Sequence, residues 1–320
     1  MKRLRDDPHM RPLFILAACI VGLALIDPQD FLTLATAASS LETFATIGLV
    51  ALGLGLTMMI REFDLSVVGM YSMAGCIAVV MGGTHAWLGL VCALAAGLAG
   101  GLAQGWLIVR LRLGSVGVTL GGLLVFAGVA HVVTENRALP YENMQVALGL
   151  SAPIGGIFSI RSLVAIAIFA AAALVIGLTR YGRDIIAIGS DRRGAMTAGV
   201  NVNVLVIGIF GFSGFCAALS GALLSYSLAS ASPAGLSDVI VPAAAAAILG
   251  GVSLAGGTGR PLGIAMGVLS LAVLRAGFNA VGAPPYVNGV AMGAILLIVA
   301  VLDGSYLARR LHWLVRRRAH

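Results

Sequence analysis

Long apolar stretches recur along almost the whole chain, from near residue 13 to residue 302. A stretch of about 20 apolar residues crosses the hydrocarbon core of a bilayer as a helix, and about ten such stretches are present. Hydrophobic residues make up 59% of the chain and charged residues only 10%, with a mean hydropathy of +1.02. A soluble domain carries about 25% charged residues. The sequence therefore predicts an all-α, polytopic bundle of transmembrane helices.

The predicted spans alternate with gaps of different charge. All but three of the 20 Lys and Arg residues lie in gaps on one side, the exceptions being Arg137, Arg161 and Arg275. Because cytoplasmic loops carry an excess of Lys and Arg, both termini are predicted to be cytoplasmic. The net charge of +7 then reflects topology and contact with the lipid bilayer, and it implies no nucleic-acid partner. The predicted spans are 12–26, 43–60, 66–82, 85–109, 114–133, 162–179, 203–228, 239–254, 260–280 and 286–302.

These spans define three regions: an N-terminal arm at 1–11, a transmembrane domain at 12–302 and a basic C-terminal tail at 303–320. The four cysteines all lie in apolar spans, and the five histidines lie on scattered segments. No metal ligand or cofactor site is predicted from them. A membrane enzyme would need His or carboxylate side chains clustered on one face of the membrane. No such cluster appears, so no catalytic residue is predicted.

The longest basic gap, residues 180–201, contains the pattern of a short helix. Ser190 or Asp191 can cap its start, and Gly199 can end it. Such a helix is too short to span a bilayer, and its small residues would let a partner protein dock closely. Ala195 and Ala198, three residues apart, are predicted to share the docking face. An ordinary cytoplasmic loop is the alternative interpretation.

Two other gaps carry notable patterns. The glycine-rich segment 250–263 approaches the spacing of a phosphate-binding loop, but Gly257 stands where that motif needs lysine. A tight turn between two helices, with glycines at positive φ, is expected instead. In the segment 61–66, Asp64 or Ser66 can cap the following helix. Acids at membrane depth are costly and often functional, so an ion pair of Asp64 with Arg61 and a substrate contact remain open as well.

Together these segments resemble the permease subunit of bacterial sugar ABC importers of the ribose, xylose and arabinose type. The similarity covers about residues 40–303 and departs from the family pattern at Arg61 and Glu62, which replace Gly-Gly, at Asp191, which replaces Asn, and at Gly194, which replaces Ala. These departures suit one member of a heterodimeric permease. The matching family motifs include Asp64, Leu65, Ser66, Thr119, Gly121, Gly250, Gly251, Gly256 and Gly257.

The resemblance implies an importer in the bacterial inner membrane. A periplasmic sugar-binding protein would deliver the solute, two identical or different permease subunits would enclose the path, and separate cytoplasmic ATPase subunits would hydrolyse ATP. The basic gap would then be the loop that docks on the ATPase. Its residues in that role would be Gly182, Arg183, Ala187, Gly189, Asp191, Gly194, Ala195, Ala198 and Gly199.

Polar residues within the spans are few, and four of them are candidates for the translocation path: Gln104, Tyr226, Asn279 and Asn288. Their sparseness suits a permease that lets a solute pass without binding it tightly. An ion-coupled secondary transporter or a channel is the alternative function. Such proteins usually carry acidic or His residues at mid-membrane, whereas the acids here lie almost wholly in gaps or at span ends. The sequence leaves open which sugar or sugar-like solute is carried.

Overall fold

The computed structural model describes residues 11–26, 28–234, 239–284, 286–294 and 297. Residues 286–294 are helical and follow the last of the helices named below. Most of the predicted N-terminal arm, the end of the last predicted span and the C-terminal tail lie outside the described residues. The helices are α1 (Arg11–Ile26), α2 (Pro28–Phe31), α3 (Leu34–Met59), α4 (Val67–Met81), α5 (Ala86–Leu111), α6 (Ser115–Val133), α7 (Met144–Ser151), α8 (Ile160–Leu178), α9 (Arg180–Ser190), α10 (Arg192–Thr197), α11 (Val202–Ser227), α12 (Ile240–Leu249) and α13 (Pro261–Ala280), with strands β1 (Leu139–Pro140) and β2 (Ser230–Ala231).

Six helices of the described part are long and apolar enough to cross a membrane: α3, α5, α6, α8, α11 and α13. This confirms the prediction of an all-α polytopic membrane protein. Three further apolar helices, α1, α4 and α12, are shorter. The ten residues of α12 rise only about 15 Å, half of a hydrocarbon core of about 30 Å. The count of ten spans and the cytoplasmic location of both termini remain predictions.

Helix α3 begins earlier than the sequence predicted. The Thr33 side chain accepts a hydrogen bond from the Thr36 backbone N–H at 3.1 Å, which caps the helix at its start. The sequence predicts that the polar residues up to Glu42 lie in a gap between spans, but the helix already begins at Leu34, so that boundary is wrong. They continue the helix because Glu42 and Ser40 find partners in the bundle or on the preceding turn.

Helices α3 and α11 form the centre of the bundle and are its most buried long helices. Close approach of α5 to α11 depends on three glycines spaced four residues apart. An added Cβ would collide with Ala218 at Gly97 and with the Phe210 carbonyl at Gly101, and would lie 2.8 Å from the Ile207 Cα at Gly105. In a bilayer, helices associate through such close backbone contact, because lipid gives little hydrophobic drive between them.

Helix α12 packs in the same way against α13. An added Cβ at Gly263 would collide with the carbonyl of Gly250, and one at Gly267 with the carbonyl of Ala246. Residues Ala245 to Leu249 are all buried. The short helix therefore lies within the bundle, against α13 and α3, as an internal element.

The gaps between helices gather at two ends of the bundle. Arg61 donates to the carbonyl of Ser190 at 3.0 Å, the Gly257 N–H donates to the Met59 carbonyl at 2.9 Å, and the Phe63 N–H donates to Ser115 Oγ at 3.2 Å. These bonds bring the gaps at 60–66, 112–114, 179–201 and 250–260 to one end, here called the basic end. At the opposite end, β1 pairs with β2 in antiparallel register, and the Tyr141 hydroxyl reaches the Gly82 carbonyl.

A buried ion pair ties three helices together near this opposite end. Arg161 of α8 places Nη1 2.7 Å from Glu42 Oε2 of α3 and 3.0 Å from Ser227 Oγ of α11, and Nη2 lies 2.7 Å from Thr46 Oγ1. The Arg161 side chain is 6% exposed and that of Glu42 is 33% exposed. Arg161 is one of the three basic residues that do not fit the charge pattern of the gaps. Its contacts explain its position, because they hold α3, α8 and α11 in register.

Candidate functional site

The turn between α3 and α4 carries a carboxylate into the interior of the bundle. Asp64 is fully buried; its Oδ1 accepts hydrogen bonds from the backbone N–H and the hydroxyl of Ser66, and its Oδ2 accepts from the Ser213 hydroxyl at 2.8 Å. Ser213 lies near the middle of α11, so α4 begins well inside the bundle. The predicted helix cap is not formed: α4 begins after Ser66 without a side-chain cap. Asp64 instead closes a turn onto Ser66 and ties that turn to α11.

The second predicted family motif meets the first at this point. Thr119 Oγ1 of α6 donates to the Phe63 carbonyl at 3.1 Å and to the Ser115 carbonyl at 2.8 Å, while Ser115 Oγ accepts from the Phe63 N–H. Non-helical backbone at membrane depth requires such partners, because lipid supplies none. The set Phe63, Asp64, Ser66, Ser115, Thr119 and Ser213 is called the Asp64 junction below. Leu65 is half-buried beside it, and Gly121 lies outside it.

The basic gap forms two short helices: α10, which the capping pattern predicted, and α9, which it did not. Asp191 Oδ1 accepts from the Arg193 N–H at 3.0 Å and caps α10. Gly199, at φ +86°, ends it: the Val200 N–H bonds the Ala195 carbonyl and the Gly199 N–H bonds the Met196 carbonyl. This is the paired hydrogen-bond pattern of a glycine-terminated helix. Gly194 lies against the Asp191 side chain.

Glycines fix α9 closely against the body of the protein. An added Cβ at Gly182 would collide with the Ile176 carbonyl, and one at Gly189 with the Met59 carbonyl. Ala187 is half-buried and Arg183 is exposed. The predicted docking loop is therefore a structured segment that rests on the end of α3.

The predicted docking face of α10 is corrected by the structure. Ala195 is only 4% exposed and belongs to the apolar core, whereas Ala198 is exposed. The two alanines therefore do not form one free face. The exposed surface of α10 is made instead by Arg193, Met196, Thr197 and Ala198. A small side chain fits against the protein's own core as well as against a partner, which is why spacing alone pointed to the wrong side.

The glycine-rich segment is a turn between α12 and α13, as predicted. Gly251, Gly256 and Gly257 have φ of +88°, +74° and +75°, and Gly250 packs against Gly263. The hydrogen bond from Gly257 to the Met59 carbonyl joins this turn to the end of α3. The three segments that the sequence singled out thus meet at the basic end.

Two side chains that depart from the family pattern link these segments. Arg192 Nη1 of α10 lies 2.6 Å from Glu62 Oε1, and Arg61 donates to the Ser190 carbonyl at the end of α9. Glu62 directly follows Arg61 and lies two positions before Asp64. The sequence marked Arg61 and Glu62 as unusual, but the partners are 129 and 130 residues away along the chain, so the contacts could not be inferred from spacing.

The four candidate path residues do not come together. The Tyr226 hydroxyl lies 3.0 Å from the Ala78 carbonyl and 2.7 Å from that of Ala86, which gives it a structural role at the opposite end. Asn279 and Asn288 contact each other across the end of α13 at 3.4 Å. Gln104 lines a groove between α5 and α6.

The chain is similar in sequence to known transport proteins. The family model described as branched-chain amino acid transport system, permease component, matches residues 36–300. The autoinducer 2 import system permease protein LsrC of Photorhabdus luminescens is 29% identical over 95% of this chain and 92% of its own length. The ribose import permease protein RbsC of Escherichia coli K12 is 28% identical over 94% of each chain. The fructose import permease protein FrcC of Rhizobium meliloti is 26% identical over 94% of this chain and 86% of its own. No solved structure matches.

Proposed function

Because this chain belongs to the family of transport permease components, and within it is similar to sugar ABC importer permeases of the ribose type, we propose that it is the transmembrane subunit of an importer for a sugar or sugar-like solute. Separate ATPase subunits in the cytoplasm drive transport, and a periplasmic binding protein delivers the solute. The protein lies in the bacterial inner membrane beside a second permease subunit. The observation that carries the proposal is the meeting, at the basic end, of the α9–α10 segment, the glycine-rich turn and the turn that leads to the Asp64 junction.

The ATPase docks on the exposed surface of α10. Met196, Thr197 and Ala198 offer a small, largely uncharged contact surface there, flanked by Arg193. Ala195 packs into the core and Gly189 touches the end of α3. A displacement of the α9–α10 segment therefore also moves the end of α3.

The displacement reaches the transport path through the turn between α3 and α4. The Glu62–Arg192 ion pair and the Arg61–Ser190 hydrogen bond join α9 and α10 to that turn. The turn leads to the Asp64 junction, where α4, α6 and α11 are fixed to one another. A short helix that begins inside the bundle, such as the 15-residue α4, is similar to the broken helices of transporters, in which such breaks allow one part of the bundle to move against another.

The Glu62–Arg192 link predicts a charge-swap result. With ATPase and binding protein present, Glu62→Arg or Arg192→Glu is expected to lower solute uptake about fivefold, because a partly exposed ion pair contributes roughly 1 kcal/mol. The double swap should restore most of the uptake. ATP hydrolysis by the assembled complex should change less than uptake in the single variants. Single variants that transport at the parent rate would show that this link carries no coupling.

The proposal predicts that the chain depends on its partners. Lys2 is the only lysine in the sequence, and Gly257 stands at the lysine position of the one segment that approaches a phosphate-binding loop. In proteoliposomes, the chain alone is expected neither to hydrolyse ATP nor to accumulate ribose or fructose under an imposed proton or sodium gradient. Addition of its ATPase and binding protein should give ATP-dependent uptake. Gradient-driven accumulation by the chain alone would favour an ion-coupled secondary transporter.

A further inference from the structure

A groove of about 430 Å³ runs between α5 and α6, outside the Asp64 junction. Its walls are mainly apolar and small, and they include Ala103, Leu107, Gly117, Gly121 and Phe126. The volume falls within the range of about 300–1,000 Å³ that is usual for small-molecule sites. One polar side chain, Gln104 of α5, lies in the lining.

The amide of Gln104 is buried without a protein partner. Gln104 is 4% exposed, and neither its Oε1 nor its Nε2 has a hydrogen-bond partner among the described residues. The amide lies under Gly122 of α6, where an added Cβ would collide with Nε2. Burying an amide without hydrogen bonds is costly, and within a bilayer lipid cannot supply them. A polar group that enters the groove would satisfy both amide atoms.

The α6 wall of the groove is held at its first turn by Ser115 and Thr119 and is little buried beyond it. Helix α6 is the least buried of the six long helices. Gly117, Gly121 and Gly128 of α6 have no atom within 4 Å of an added Cβ, so this helix leaves open space beside the groove. A small withdrawal of α6 would uncover the Gln104 amide.

We propose that this groove is a contact site for the sugar on the translocation path, with the Gln104 amide bound to sugar hydroxyls. The carboxamide offers one acceptor and two donor hydrogens without charge, which matches hydroxyls, each both donor and acceptor. The apolar wall with Phe126 receives the C–H face of the sugar ring. An ion would call for charged or several oxygen ligands, and an apolar solute would leave the amide unsatisfied. The contact forms when α6 withdraws, so it is brief and suits passage. This proposal rests on the importer function proposed above.

The first test replaces the amide. Gln104→Leu removes no hydrogen bond within the protein, so its melting temperature in detergent is expected to equal or exceed that of the parent. Uptake of radiolabelled D-ribose and D-fructose by the complete complex in proteoliposomes is expected to fall about tenfold or more. A lowered melting temperature would assign Gln104 a structural role instead. Unchanged uptake with unchanged stability would overturn the proposal.

The second test asks what faces the groove. In a chain freed of its four cysteines, Gly121→Cys places a thiol in the groove where no atom lies within 4 Å of the added Cβ. A charged, membrane-impermeant methanethiosulfonate reagent is expected to label it in the complete complex at least about tenfold faster than Leu174→Cys, an exposed position on α8. If Gly121→Cys is labelled no faster than Leu174→Cys, the groove faces lipid. If a disulfide forms between two copies of the chain, the groove faces a subunit interface. Either outcome overturns the proposal.

The two experiments also separate this site from the importer function itself. If the parent complex accumulates neither sugar while Gly121→Cys is labelled rapidly, the importer assignment for these sugars fails and the groove is an aqueous path without a sugar role. If the parent accumulates sugar and the groove stays unlabelled, the importer function stands and the groove proposal falls.

Discussion

Glu42→Ala is expected to destabilise the folded bundle by about 3 kcal/mol, because it leaves the Arg161 guanidinium buried without its counter-ion. Arg161→Met is expected to lower the free energy of unfolding less, because the remaining Glu42 carboxylate is one-third exposed and stays hydrated. The double variant Glu42→Leu/Arg161→Met should recover much of the loss, as an apolar pair can replace a buried ion pair. Unfolding in a mixed detergent and denaturant series measures all three.

A matched control lies at the same end of the bundle. Arg137 and Glu135 also form an ion pair, but their side chains are 71% and 76% exposed. Arg137→Met is expected to change the free energy of unfolding by about 0.5 kcal/mol or less. If Glu42→Ala costs no more than this control, the Arg161 cluster does not hold the three helices together.

Loss of the Asp64 carboxylate is expected to abolish transport. Asp64→Ala leaves the Ser66 N–H and the Ser66 and Ser213 hydroxyls without their acceptor, at about 1–3 kcal/mol for each buried group. It also frees the start of α4 from α11. Asp64→Asn should be milder, because one amide oxygen can still accept while the amide nitrogen opposes a donor. Uptake by the complete complex and unfolding of the purified chain are the measurements.

Ser213→Ala provides the graded comparison for this prediction. It removes a single donor to Oδ2 and leaves both bonds from Ser66 in place. The expected order of uptake is parent, Ser213→Ala, Asp64→Asn and Asp64→Ala. An Asp64→Ala variant that folds and transports like the parent would show that the junction does not organise the path.

The sequence predicted helices well wherever apolar runs were long and bounded by charge. Its errors have specific physical causes. The sequence does not predict the start of α3 because its first turns carry Ser and Glu residues. These are tolerated in the helix because Ser40 bonds the preceding turn and Glu42 pairs with Arg161 of α8. Helix α12 was predicted at 239–254 because the sequence stays apolar past Gly250, although the chain turns there with Gly251 at positive φ.

For the candidate site, local chemistry was predictable and distant pairing was not. The cap at Asp191 and the end at Gly199 follow from residue types that act on their own neighbours. The links of Glu62 to Arg192 and of Asp64 to Ser213 join residues 130 and 149 positions apart, which no local pattern encodes. The resemblance identified both Asp64 and Thr119 as residues of family motifs. The fold shows what they share, because both hold the turn between α3 and α4.

The shortness of α12 has a consequence for how the protein is made. A helix of about 15 Å cannot be recognised and released into the bilayer as an independent segment during synthesis. Its ends would leave backbone groups in hydrocarbon unless neighbouring protein covers them. Gly263 and Gly267 show that α13, which is synthesised after it, provides part of that cover, with α3 on another side. We therefore expect α12 to complete its packing only once α13 has been synthesised, and a chain truncated before α13 to leave this part of the bundle incomplete.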